Sequence, residues 1–124
     1  MYRILIVGVG GFIGASLRYM ISSLSVKVFG ESFPYGTLFV NILGGLLFGF
    51  IMEASVRLWS ISPNLRTFLT TGILGGLTTF STFSYETICM LSDGNYLIGG
   101  INAGLNLLLS LFCAWLGKFL AQII

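Results

Sequence analysis

Four apolar blocks, each long enough to cross a bilayer, take up almost all of this chain and leave little from which to build a water-soluble domain. A membrane-crossing helix needs about 20 mostly apolar residues. By that ruler spans are expected near 3–24, 35–56, 65–91 and 96–122. The connections "SVKVFGESFP", "RLWSISPN" and "SDGN" are short and rich in turn residues. Pro34 and Pro63 fall just ahead of the next span, where a proline disturbs a helix least. Asp93-Gly94-Asn95 reads as a tight turn, so spans three and four should be antiparallel neighbours. The expected fold is an all-α membrane protein in which 1–124 form a single four-helix transmembrane domain.

One segment invites a competing reading. "YRILIVGVGGFIGASLRYM", residues 2–20, has the apolar run, the glycines and the arginine of a dinucleotide-binding strand–turn–helix. That fold needs strands alternating with helices and an acidic residue about 20 positions after the glycines. Here Glu31 is the only acid in that neighbourhood, and long apolar blocks surround it. Gly10 and Gly14 are better read as small-xxx-small spacing, which lets a second helix approach closely. Gly44, Gly45 and Gly49, then Gly72, Gly75 and Gly76, then Gly99, Gly100 and Gly104 repeat the theme in the later spans.

Composition supports lipid as the solvent. The chain is 56% hydrophobic and 8% charged, whereas a soluble domain carries about 25% charged residues. A net charge of +2 with no basic run excludes a nucleic-acid partner. The absence of histidine removes the usual metal ligand and proton shuttle. Cys89 and Cys113 sit in apolar runs and are expected as buried free thiols. No cleavable signal peptide is expected, because the first apolar stretch is too long and lacks a small-x-small cleavage site. Four spans put both termini on one side, with Arg3, Arg57, Arg66 and Lys118; Lys27 and Arg18 belong to the other. This mild bias favours cytoplasmic termini.

Polar residues inside the spans are the functional candidates, because a mid-span charge costs about 2.5–3.5 kcal/mol on insertion scales. Asn41 has Thr37 one turn before it and Gly45 one turn after, all on one face. Its amide could serve an ion or clamp two helices together. In "GILGGLTTFSTFSYE", residues 72–86, the Gly75-Gly76 pair followed by Thr78-Thr79 makes a poor helix interior. A broken helix at membrane depth frees carbonyls that suit a small hard cation, so carbonyls near Gly75 and Thr78 could hold sodium.

After the break, Phe80, Phe83, Ser84 and Thr87 share a helical face. A phenyl ring is negative on its face and positive at its edge, so rings beside hydroxyls suit an anion better than a cation. Glu86 reads as a vestibule residue or a solvated helix-end charge. Asn102, Asn106 and Ser110 form a stripe on span four, expected to line part of a pore. Arg18 is expected near the interface, snorkelling or capping carbonyls. Four thin helices cannot bury all these groups, so a homo-oligomer, most simply a dimer, is expected.

These residues carry a resemblance. "GGFIGASLRY" at 10–19, "GTLFVNILGG" at 36–45 and "GGLTTFSTFSYE" at 75–86 are similar to the signature segments of the Fluc (CrcB) fluoride channels, and the resemblance covers essentially the whole chain. It implies an antiparallel, dual-topology homodimer in a bacterial inner (plasma) membrane, with two pores along the subunit interface. Phe80 and Phe83 then match the phenylalanines whose ring edges contact fluoride, and Asn41 the pore asparagine. Ser81, Thr82 and Ser84 would supply a hydroxyl track and Ser110 a donor from span four, with Thr37 and Glu86 also on the pathway. The Gly75 and Thr78 carbonyls of both subunits would bind one structural Na+ that is not transported. The implied activity is passive, electrodiffusive fluoride export that lowers cytoplasmic fluoride.

Two other classes compete. A small multidrug-type cation/proton exporter also has four spans but needs a membrane carboxylate, usually in the first span, and the only candidate here is Glu86. A non-transporting helical scaffold explains the glycines but not a broken helix beside phenylalanines and hydroxyls. No nucleophile–base pair or metal constellation suggests an enzyme.

Overall fold

The computed structural model describes residues 1–58 and 60–124, and those residues build helices, turns and no strands. Helix α1 (Tyr2–Phe29) has 28 residues, about 42 Å at 1.5 Å per residue. It continues past the expected end near residue 24, because nothing between Ser25 and Phe29 breaks a helix. Gly30 stops it with φ at 81°, a left-handed value that glycine alone adopts freely, and donates its N–H to the Val26 carbonyl. Pro34 then precedes α2 (Tyr35–Arg57).

The third apolar block is composite. Ser62 caps α3 (Pro63–Thr67) by accepting the Leu65 N–H at 3.2 Å, with Pro63 in the first turn. The chain then widens into a π-helical stretch, Phe68–Leu74, and tightens again in α4 (Gly75–Leu77). Thr78 and Thr79 are extended, and a new helix, α5 (Phe80–Ser92), begins after them. Gly94, with φ at 83°, completes the turn into α6 (Tyr96–Gln122). Helices α1, α2 and α6 are each long and apolar enough to cross a membrane.

The break therefore falls at Thr78-Thr79, and the Gly75-Gly76 pair just before it stays helical, with φ −62° and ψ −36° at Gly75. Gly76 serves contact instead: a Cβ there would lie 2.6 Å from the Gly11 carbonyl of α1. The same holds at Gly14, where a Cβ would collide with the Ile73 carbonyl, and at Gly49 and Gly117, where α2 and α6 meet backbone to backbone. Gly100 and Gly104 differ from the expectation, since a Cβ on either would meet nothing within 4 Å. They face away from this chain's own helices.

Val40, Leu74 and Leu77 form the small buried core, with Ile21 and Ile51 against it. Most large apolar side chains point outward, among them Phe12, Tyr19, Phe80 and Trp115. An outward apolar surface is what a lipid-facing or subunit-facing bundle requires. At the end where α2 finishes, Glu53 accepts from Arg57 at 3.1 Å and from Gln122 at 3.2 Å, tying α2 to α6.

Candidate functional site

Breaking a helix inside an apolar bundle strands backbone groups, and each must find another partner. Asn41 on α2 supplies it. Its Oδ1 accepts the Thr79 N–H at 2.9 Å, and its Nδ2 donates to the Thr79 carbonyl at 3.1 Å. The Thr79 hydroxyl accepts the Thr82 N–H at 3.2 Å and so caps α5. Sequence reasoning names Thr79 only as part of a poor helix interior, yet its place just before a helical run, three residues ahead of Thr82, is an N-cap signal.

A chain of amides extends from this clamp. The second Asn41 N–H goes to Asn106 Oδ1 at 3.0 Å, and Asn106 Nδ2 donates to Asn102 Oδ1 at 3.0 Å. Asn102 Nδ2 donates to the Thr87 hydroxyl at 2.9 Å, which donates to the Phe83 carbonyl at 2.8 Å. Asn102 and Asn106 are 0% and 3% exposed. The span-four stripe therefore divides: the two asparagines are spent on contacts inside the chain, and only Asn106 of the two borders the groove described below. Both Asn41 amide hydrogens are likewise engaged within the chain.

On one side of the clamp lies an open groove of about 410 Å³, lined by Asn41, Thr79, Phe80, Phe83, Asn106 and Ser110 among others. The Phe80 and Phe83 rings meet edge-on, centroids 5.5 Å apart and planes at 62°. Phe80 is 79% exposed and stands out from the chain. The Ser110 hydroxyl is buried in this groove with no hydrogen-bond partner among the described residues. The groove also adjoins the N-terminus of α5, whose peptide dipoles present partial positive charge.

On the other side is a cavity of about 630 Å³ that includes Thr37, Thr82, Glu86 and Cys89. The Thr37 hydroxyl donates to Glu86 Oε1 at 2.6 Å, while Oε2 is without a partner among the described residues. Glu86 is thus a cavity-lining residue. Ser81 and Thr82 hydroxyls cluster with that of Thr79, at 3.3 and 3.1 Å. Ser84 donates to its own helix, to the Phe80 carbonyl at 2.8 Å. Cys89 and Cys113 are free thiols but half-buried, not buried, because each lies on a helix face that the small bundle only partly covers.

The Gly75 and Thr78 carbonyls are placed differently from each other. Gly75 lies on an exposed part of the chain, and the N–H that would ordinarily bond its carbonyl, that of Thr79, is taken by Asn41. The Thr78 carbonyl accepts a long bond, 3.4 Å, from Arg18. Arg18 therefore caps a carbonyl, with its guanidinium beside the break.

The family model described as CrcB-like protein, Camphor Resistance (CrcB), matches residues 5–118. The chain is 62% identical over 120 residues to the fluoride-specific ion channel FluC of Clostridium perfringens (strain 13 / Type A), covering 97% of this chain and 94% of that protein. It is 55% identical over 120 residues to the protein of the same name from Clostridium novyi (strain NT), with the same coverage. Against that of Geotalea daltonii (strain DSM 22248 / JCM 15807 / FRC-32) it is 47% identical over 124 residues, the full length of both.

Proposed function

The chain belongs to the CrcB family, whose similar members are named fluoride-specific ion channels, and on that premise we propose that it is itself a membrane channel for fluoride and not an enzyme. The observation that carries this reading is the groove in which edge-paired Phe80 and Phe83 face the unpartnered Ser110 hydroxyl beside a helix N-terminus. Ring edges, a hydroxyl hydrogen and the positive end of α5 all favour an anion. Fluoride would enter through the cavity at Thr37, Thr82 and Glu86, with Ser81 and Ser84 nearby, and pass Asn41 to reach the phenylalanines. Rigid donors in a narrow path favour the smallest halide, because they approach it most closely and so replace its hydration.

The pathway lies open on one side, and Phe80 stands out from the subunit. That supports a homodimer in which a second copy, inserted the opposite way in the inner (plasma) membrane, closes each groove. The carbonyl set fits a structural sodium ion: Gly75 has lost its helical donor, Thr78 retains a second lone pair, and both are hard oxygens. One chain offers two such oxygens, and a second copy would supply two more. Bound there, sodium would fasten the two broken crossings together without being transported.

Transport needs no coupled energy source. Hydrogen fluoride enters as a neutral acid and dissociates inside, and an inside-negative potential drives the anion out with about 2.3 kcal/mol per 100 mV. The test uses liposomes loaded with potassium fluoride, with valinomycin as the potassium path and a fluoride electrode outside. Rapid release that depends on valinomycin, with little release from chloride-loaded vesicles, is expected. Retention of both anions would sink the proposal.

A further inference from the structure

The five side-chain hydrogen bonds that run from the break to the Phe83 carbonyl all point the same way. The Thr79 N–H donates to Asn41, Asn41 to Asn106, Asn106 to Asn102, Asn102 to Thr87, and Thr87 to the carbonyl of Phe83. Each group in the middle accepts from one neighbour and donates to the next, so each link polarises the one after it. The relay starts on the backbone one residue before α5 and returns to the backbone within its first turn. Phe80 sits between those two anchor points, and Phe83 is the second of them. Two of the linking side chains are buried on α6, and a third lies on α2, so the loop fastens this turn to both long helices at once.

We propose that Asn102, Asn106 and Thr87 are positioning residues for ion selection, holding the Phe80–Phe83 turn at the angle and height the pathway needs. The proposal rests on the channel reading above. Asn102 and Thr87 act through the backbone of residues 79 and 83, and Asn106, which also borders the groove, acts through its bond to Asn41. The Phe80 side chain is mostly outside the subunit and has little packing of its own to hold it, so the backbone beneath must be held instead. The Thr87 link is the most informative, because a hydroxyl can be removed there with little change of shape. Val for Thr87 leaves the Asn102 N–H without its partner and the Phe83 carbonyl without its second donor.

The experiment compares wild type, Thr87→Val, Thr87→Cys and Thr87→Ser in liposomes, reading the fluoride-to-chloride permeability ratio and the half-saturating fluoride concentration. Elution from a sizing column reports folding separately. Thr87→Val is expected to lower the ratio about tenfold, the effect of one unpaired buried donor. Thr87→Ser, which restores the hydroxyl, should return the wild-type ratio, and Thr87→Cys, a weaker donor, should fall between. A correctly eluting Thr87→Val with the wild-type ratio overturns the proposal. If that variant does not fold, a wild-type ratio in Thr87→Cys overturns it equally. Absence of fluoride flux in the wild type sinks the channel reading, and this inference with it; wild-type flux with unchanged variants sinks the relay alone.

Discussion

Asn41 and Thr79 pair as two strands would: side-chain amide to backbone, one hydrogen bond in each direction, at 2.9 and 3.1 Å. A single amide thus takes the place of the helix that the chain abandons at Thr78-Thr79. Replacing Asn41 by Leu leaves the Thr79 N–H and carbonyl unsatisfied, at about 1–3 kcal/mol for each buried group. A lower melting temperature is expected, together with loss of fluoride flux. Unchanged melting would mean that the break is held by something other than this clamp.

Phe80→Ile and Phe83→Ile test the ring edges. Phe80 is 79% exposed, so its replacement should leave the fold of the subunit intact. Each change is expected to slow fluoride efflux roughly tenfold, the upper end of what an aromatic edge contributes. Efflux at the wild-type rate in both variants would remove the phenylalanines from the pathway.

Glu86→Gln separates a channel from a proton-coupled exporter. Gln retains an oxygen to accept the Thr37 hydroxyl, now at 2.6 Å, and removes the charge. A channel should transport within about tenfold of wild type, since a neutral acceptor still satisfies Thr37. Complete loss of transport, measured in the same efflux assay, would favour the exporter.

Gly117→Val probes the close approach of α6 to α2. Its β-carbon would meet the Leu46 carbonyl, a backbone atom that cannot rotate away. Overpacking of this kind costs about 1–3 kcal/mol, so a lower melting temperature or aggregation on a sizing column is expected. Gly104→Ala, where a Cβ meets nothing within 4 Å, should melt as wild type does. Equal behaviour of the two variants would mean that helix approach does not govern stability here.

Sodium removal tests the carbonyl site. Exchange of the purified protein into a sodium-free buffer of a large organic cation should weaken the proposed dimer, seen as monomer on a sizing column at low protein concentration. Re-addition of sodium should restore it. A dimer indifferent to sodium would leave the Gly75 and Thr78 carbonyls without that role.

Local patterning makes the membrane class, the long helices and the existence of a break readable in the residues. Twenty apolar residues have no stable place in water, and a Gly-Gly-x-Thr-Thr run is a poor helix whatever surrounds it. Phe80, Phe83 and Ser110 stand out in the sequence as candidates, because rings and hydroxyls inside a span call for an explanation, and the three line one groove. The end of α1 was misjudged because a mixed polar stretch continues a helix until a true breaker, Gly30, arrives.

Where the helix actually opens is a different kind of question. Backbone leaves a helix only where another group will take its hydrogen bonds. The group that does so for Thr79 is Asn41, 38 residues away on another helix. No local propensity contains that pairing, which is why the sequence marks the whole run from Gly75 to Thr79 as a poor helix and the structure opens it only at Thr78-Thr79. The asparagines of α6 were ambiguous for the same reason: an amide in a span can face a pore or another amide, and spacing along one helix does not distinguish them. The order of residues along the chain was enough for the apolar solvent, the three long helices and the chemistry on offer. Which polar groups satisfy one another, and which, like the Ser110 hydroxyl, have no partner among the described residues, depends on helices distant in the chain packing together.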